Sequence, residues 1–559
     1  MTNGSPVVLV LGAGINGCAL ARELVLAGVP VWLVDRADIA SGASAGSSHL
    51  IHGGLRYLEY GEFDLVKESL AERGRLLRLA PQFVRPLKLW IPASSRLGGA
   101  VGAPGRFFGW KWWPTPVPKR GRGVTLIRTG LALYDAYARD PSVPRHQSYR
   151  VPAAGAPAVN RDKYGWLCSY YDAQVAFPER LLMSMLSDAR LAAQQAGLDF
   201  RVFTYHEAKL MGKMVELSPV LGSGREEIEH TCEPAMIVNA TGAWVDETLQ
   251  RLCVPERRLM GGTKGSHLFT FNARLREMLG ADGIYAEASD GRPIFITPLA
   301  GTVLIGTTDE RFEGPPENAV TTERERDYLL DSVNSILPDA KLTPDDVNFH
   351  YSAVRPLPYA DARSTSAITR RHAIVHDEAA KVPMISLVGG KLTTMRSLAE
   401  QAAAVVFKTL GREPRQNSEN LAFTGFDGFP ANPDDLPRVC SEIAARVGYS
   451  AESVAAVVRL MGIPPDRVWS DPSWGPRHER SLVDDTPLPR VVANWMIDME
   501  SVQTLADLVE RRLMLLYDQR ITYATLHCLA DLLPRATDRD AMVSAEAARL
   551  KSRYGKIVE

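Results

Sequence analysis

The apolar positions of this chain come in two periods, and the first forty residues show both. Val7-Val8-Leu9-Val10-Leu11 is a continuous apolar run of the length a buried strand takes. It leads into Gly12-Ala13-Gly14-Ile15-Asn16-Gly17, after which Cys18 to Leu24 carries apolar residues at helical spacing. A second apolar strand, Val31-Trp32-Leu33-Val34, ends on Asp35. Strand, glycine turn, helix and strand with a terminal acid is the order that binds a dinucleotide. Gly12 permits the sharp turn, Gly14 lets backbone approach a pyrophosphate, and Gly17 lets helix and strand pack closely. The helix N-terminus offers unpaired N–H groups to the phosphates, and Asp35 can accept hydrogen bonds from a ribose diol. The motif alone leaves NAD and FAD both open.

Further along, Ala40 to Ser48 is a loop of small residues that can press its backbone against a flat cofactor. A helix is predicted over Phe63 to Leu79, another from Pro178, and a strand over Phe200 to Phe203. Ala235 to Asn239 reads as a buried strand running into the small turn Thr241-Gly242. Lys264 to Asp309 has strand character and suggests an antiparallel sheet facing a substrate. Ile385 to Val388 is a strand followed by Gly389-Gly390-Lys391-Leu392-Thr393-Thr394 and a helix from Met395 to Leu410, a second strand–glycine–helix junction. That helix N-terminus would stabilise negative charge on a reduced ring, with Thr393 and Thr394 capping it. Beyond Gly411, helical patterns separated by proline-rich loops predict a separate helical domain.

At 559 residues the chain calls for two or three domains. A formal charge of -1 says nothing about partners, but its distribution does. No acidic residue stands between Glu72 and Asp135, while that stretch carries twelve lysines and arginines around the aromatic run Phe107-Phe108-Gly109-Trp110-Lys111-Trp112-Trp113. Aromatic rings beside cations suit an anionic lipid surface, so the Phe107 to Arg122 loop is expected to rest on one. Nucleic acid is not expected, because no recognised module accompanies the cations. The six cysteines are scattered without a Cys-x-x-Cys pair, which predicts neither a metal site nor a disulfide framework and points to a reducing compartment. No secretory signal stands out, and no apolar run approaches the ~20 residues of a spanning helix.

Taken in order, these motifs resemble the FAD-dependent glycerol-3-phosphate dehydrogenase family over most of the chain, to about Leu410. The matching segments are Gly12 to Gly17, Ser47-Ser48-His49-Leu50-Ile51-His52-Gly53-Gly54-Leu55-Arg56-Tyr57-Leu58, Asn239 to Trp244, and Lys264-Gly265-Ser266-His267. Ile305 to Asp309, Val354-Arg355-Pro356-Leu357 and Gly389 to Thr394 complete the series. His49 departs from it, since many relatives carry lysine there. The resemblance implies an α/β fold of the amino-acid-oxidase type. An FAD-binding Rossmann domain would span residues 1–85, 150–245 and 370–410, and a mixed-sheet, membrane-facing substrate domain 86–149 and 246–369. A helical domain would occupy 415–559. It further implies oxidation of sn-glycerol 3-phosphate to dihydroxyacetone phosphate by FAD, with electrons passed to a membrane quinone. A glycerol-3-phosphate oxidase that uses oxygen is the alternative, and a homodimer is left open. Mitochondrial relatives carry a targeting leader and EF-hand loops. Neither is visible here, which favours a bacterial-type enzyme peripheral to the inner face of the cell membrane.

The chemistry needs cations for a phosphate dianion, an acceptor for the C2 hydroxyl proton, and fixed positive charge for the developing alkoxide. Arg56, Arg355, Arg371 and Lys391 are the candidate cations. By resemblance Arg355 faces the substrate hydroxyl while Arg56 and Arg371 hold the phosphate. His52 is the candidate general base, Lys264 and His267 are further candidates, and Tyr57 would orient the substrate. The expected cofactor contacts are Gly12, Gly14, Asn16, Gly17, Asp35, Ser47, Ser48, Thr241, Gly242, Gly390, Lys391, Leu392 and Thr393.

Overall fold

The computed structural model describes residues 7–96, 123–141, 143–220, 229–255, 258–360, 370–470, 481–534 and 538–559. The aromatic loop around Trp110 expected to meet lipid lies outside them. Val8–Leu11 (β1), Ile15–Leu26 (α1) and Val31–Asp35 (β2) form as the apolar periods predict. Every residue of β1 is buried because the strand is covered on both faces, the usual state of a parallel sheet. Gly12 has φ of 102°, and a Cβ there would lie 2.6 Å from the Ala240 carbonyl oxygen. A Cβ at Gly17 would lie 1.8 Å from the Gly12 oxygen. Only glycine fits either place.

β1 and β2 belong to a six-stranded sheet in the order 373–376, 384–388, 236–239, β1, β2, 200–204. It is parallel except for 373–376, which runs antiparallel at the edge. On one face α1 shares a core with helices Pro178–Ala196 and Met395–Leu410. The other face carries the three-stranded sheet 206–211, 214–219, 230–232.

A second, ten-stranded sheet is mostly antiparallel. Its strand Thr263–Thr270 pairs with Phe349–Arg355 so that Thr263 faces Arg355 and Phe269 faces Phe349. Trp166–Val175 also lies here, paired along its whole length with Val84–Ala93. The segment 150–245, expected with the cofactor domain, therefore gives one strand to the second sheet, and Leu50–Ile51 joins that strand too. The period of a strand identifies its faces but does not name its partner.

Past Gly411 the described residues form helices, including 436–447, 451–461, 490–499, 523–532 and 539–554, and a π-helical turn at Asp507–Arg512. Their apolar faces share a core with Phe177, Phe269, Phe349 and Tyr351 of the second sheet and its margin. The helical domain is thus packed onto the body by burial of apolar surface. Among the described residues no helix is long and apolar enough to cross a membrane.

Candidate functional site

The C-terminal ends of β1 and β2, the 41–48 loop and the far end of the second sheet enclose a cavity of about 1210 Å³. That exceeds the ~300–1,000 Å³ typical of a single small-ligand pocket. The first part of its wall is mostly backbone. Asp35 accepts hydrogen bonds from the amides of Ala13 (2.7 Å) and Ala37 (2.9 Å), which fixes the turn after β1 against the end of β2. Burial pushes its carboxyl pKa up to about 6. Ser44 Oγ accepts from the Ile15 amide at 2.9 Å, so the small-residue loop caps the first turn of α1. Asn16 Nδ2 donates to the Gly389 carbonyl at 3.1 Å and ties the first strand–glycine–helix junction to the second.

An FAD fits this wall on two observations. Asn16 Oδ1 is buried without a partner. At Gly390 a Cβ would lie 2.5 Å from Asn16 Nδ2, so only glycine lets this junction close on Asn16, and the cavity wall there is bare backbone. Ser47, Ser48, Thr241, Gly242, Leu392 and Thr393 line the same cavity. Gly17 does not, and its role is the packing of α1 on β1.

The other part of the wall is made of charged and aromatic side chains. Arg355 lies across Gly265, where a Cβ would meet its Nη2 at 2.0 Å. It donates to Thr307 Oγ1 at 2.7 Å and to the Thr308 carbonyl at 3.1 Å, and pairs with Asp309 at 3.1 Å. Lys391 Nζ sits 3.9 Å from the centre of the Tyr57 ring and has no hydrogen-bond partner. Burial lowers its pKa to about 7. The His52 amide donates to Thr393 Oγ1 at 3.0 Å, and burial lowers its imidazole to about 4, so the ring is neutral. Arg56 and Arg370 line the cavity, and Arg370 approaches Asp309 at 3.4 Å. His267 lines it too, with Nε2 2.9 Å from Ser48 Oγ, and desolvation holds its pKa well below the usual value.

Besides Gly17, two expected site residues lie elsewhere. Lys264 points to the opposite face of its strand from Gly265 and His267. Its ammonium is buried against Glu325 (2.7 Å) and the Val320 carbonyl (3.0 Å). Every residue of Thr263–Thr270 is buried, so no polar alternation in the sequence marks which face meets the cavity. Arg371 is half exposed, 4.0 Å from Asp64, and does not line the cavity, whereas its neighbour Arg370 does. Adjacent arginines outside a regular element carry no period by which sequence could choose between them. Sequence reasoning also misses Asp309, Thr307 and Gly265 as site residues, although it singles out the segments that hold them. His49 turns away from the charged wall: its Nδ1 donates to the Ala176 carbonyl at 2.9 Å and its Nε2 accepts from Tyr517 of the helical domain at 3.2 Å.

Residues 8–376 match the family model described as FAD dependent oxidoreductase. A glycerol-3-phosphate dehydrogenase from a Synechocystis species is 35% identical over 90% of this chain and 88% of that protein. A D-erythritol 1-phosphate dehydrogenase from Brucella abortus is 32% identical over 70% of this chain and 72% of that one. The crystal structure of the Bacillus halodurans glycerol-3-phosphate dehydrogenase complexed with FAD superposes with a TM-score of 0.71. It covers 99% of this chain and 96% of that chain at 21% identity, a likeness of fold.

Proposed function

Starting from a chain that belongs to the FAD-dependent oxidoreductase family, among its glycerol-3-phosphate dehydrogenases, we propose that it oxidises sn-glycerol 3-phosphate to dihydroxyacetone phosphate and delivers the electrons to a membrane quinone. The observation that carries this reading is the pairing, in one cavity, of a glycine-backbone wall with a wall of Arg56, Arg355, Arg370 and Lys391 beside a neutral imidazole. Bound FAD supplies the hydride acceptor. Arg56, Arg370 and Lys391 hold the phosphate dianion, and its arrival favours the protonated form of Lys391. His52 takes the proton from the C2 hydroxyl as the C2 hydride leaves. Arg355, fixed by Asp309 and Thr307, places a guanidinium where the oxygen gains negative charge. Tyr57 covers Lys391 and excludes water. The six-stranded sheet with its helices is the cofactor domain, the ten-stranded sheet the substrate domain, and the enzyme rests on the inner face of the cell membrane.

The test is anaerobic titration of the purified yellow protein. Glycerol 3-phosphate should bleach the flavin band stoichiometrically, and a quinone analogue should restore it. Bleaching by D-erythritol 1-phosphate but not by glycerol 3-phosphate would replace the substrate. Rapid peroxide formation in air without quinone would make the enzyme an oxidase.

A further inference from the structure

The loop that follows β2 is anchored by side chains from the far end of the chain. Asp38 is only 1% exposed, yet it receives two guanidinium groups from the helical domain. Arg511 Nε donates to its Oδ2 at 2.5 Å, and Arg512 forks onto both oxygens at 2.8 Å. Burial alone would raise this carboxyl, but the two arginines outweigh it and hold the pKa at about 2. Arg512 is itself fully buried and donates to the Glu500 carbonyl. The Glu500 carboxylate is gripped in turn by Arg180 at 2.6 and 2.8 Å. Arg511 reaches Asp507 at 2.9 Å, and Asp507 accepts from Tyr205 at 2.6 Å.

The residues held this way lie between the two ends of the cofactor contact. Asp38 stands three positions after Asp35 and three before Ser41, and Ser41 to Ser44 line the cavity. Ala40, between them, has φ of 63°, a conformation that a residue with a Cβ seldom adopts, and its amide bonds to the Ala13 carbonyl at the α1 turn. The loop does not choose this path by propensity, so an outside contact must hold it. The helical domain also contributes Glu510, Arg511, Arg549, Arg553 and Tyr554 to the cavity lining.

We propose that Arg511 and Arg512 are positioning residues for the flavin dinucleotide: through Asp38 they set the Ala37 to Ser48 loop against α1, so that the helical domain completes the cofactor site. This goes beyond the substrate reading and is independent of it, because it concerns retention of FAD whatever alcohol is oxidised. A domain that only glued the body together would change stability without changing affinity for FAD.

The test uses the full-length holoenzyme carrying Arg511→Met, Arg511→Lys or Asp38→Asn. FAD release on dilution is read by the rise in flavin fluorescence, and thermal midpoints are taken with and without FAD. For Arg511→Met the dissociation constant should rise about tenfold, the scale on which an outer-shell orienting group supports a bound metal. The gap between holo and apo midpoints should narrow accordingly. Arg511→Lys, which keeps a cation beside Asp38, should recover part of the affinity. Unchanged FAD affinity with both midpoints lowered together overturns the proposal. Should the variants not fold, amide exchange of the wild type decides. FAD added to apoprotein should slow exchange in residues 503–512 as well as 36–48, and protection confined to 36–48 overturns it.

Discussion

Two clusters of arginine border one cavity, and they differ in how their charge is met. In the helical-domain cluster, Arg180, Arg511, Arg512 and Arg549 face Asp38, Glu500, Asp507, Glu510 and Glu546, at least one carboxylate for each guanidinium. On the cationic wall, Arg56, Arg355, Arg370 and Lys391 share their space with Asp309 and Glu62. Removing one partner of a compensated buried pair strands the other, whereas cations that line a cavity can meet an anionic ligand.

The contrast breaks first at its strongest point. Arg512→Met leaves Asp38 buried and short of its bidentate partner, so unfolding in urea should show a loss of about 3–5 kcal/mol. A loss under about 1 kcal/mol would mean that the compensated cluster is no clamp. Arg355→Met should do the opposite. Its kcat/KM for glycerol 3-phosphate should fall about 10²–10³-fold, while the denaturation midpoint stays within the scatter of wild type. A parallel fall in stability would make Arg355 structural as well.

Finer distinctions sharpen the picture. Lys391→Met and Arg370→Met should each raise KM about tenfold, the worth of roughly one charge-assisted hydrogen bond, and Lys391→Met should leave the protein as stable or slightly more so. The pH profile checks the lysine separately. Its pKa is about 7 in the fold and 10.5 for a free side chain, so between those values the unfolded chain binds the extra proton and stability contributed by this group rises with pH. Subtracting the Lys391→Met profile from that of wild type apoprotein should show this rise, and a flat difference would place the ammonium in water. The smallest effect belongs to Arg371→Met, expected within about 0.5 kcal/mol in stability and without change in KM. A large KM effect there would reinstate Arg371 as a phosphate ligand in place of Arg370.

What could be read in advance follows the range of the interaction. Gly12 to Asp35, the helix Phe63–Leu79 and the junction at Gly389-Gly390 were legible because turn chemistry and apolar period act over a few residues. Arg355 and His52 were legible only through resemblance. Lys264 misled because a strand buried on both faces has no polar side to orient it. The pairing of Trp166–Val175 with Val84–Ala93 and of Asp38 with Arg512, 474 positions apart, left no local trace at all.

The bridge from Asn16 to the Gly389 carbonyl has a consequence for biosynthesis. A ribosome emits the amino-terminal turn long before the strand that must close over it, so the early β1–α1–β2 unit leaves the exit tunnel with half a cradle. Closing the cradle must then be a late event in the life of each molecule, after Gly389 and then Arg511 and Arg512 have been made.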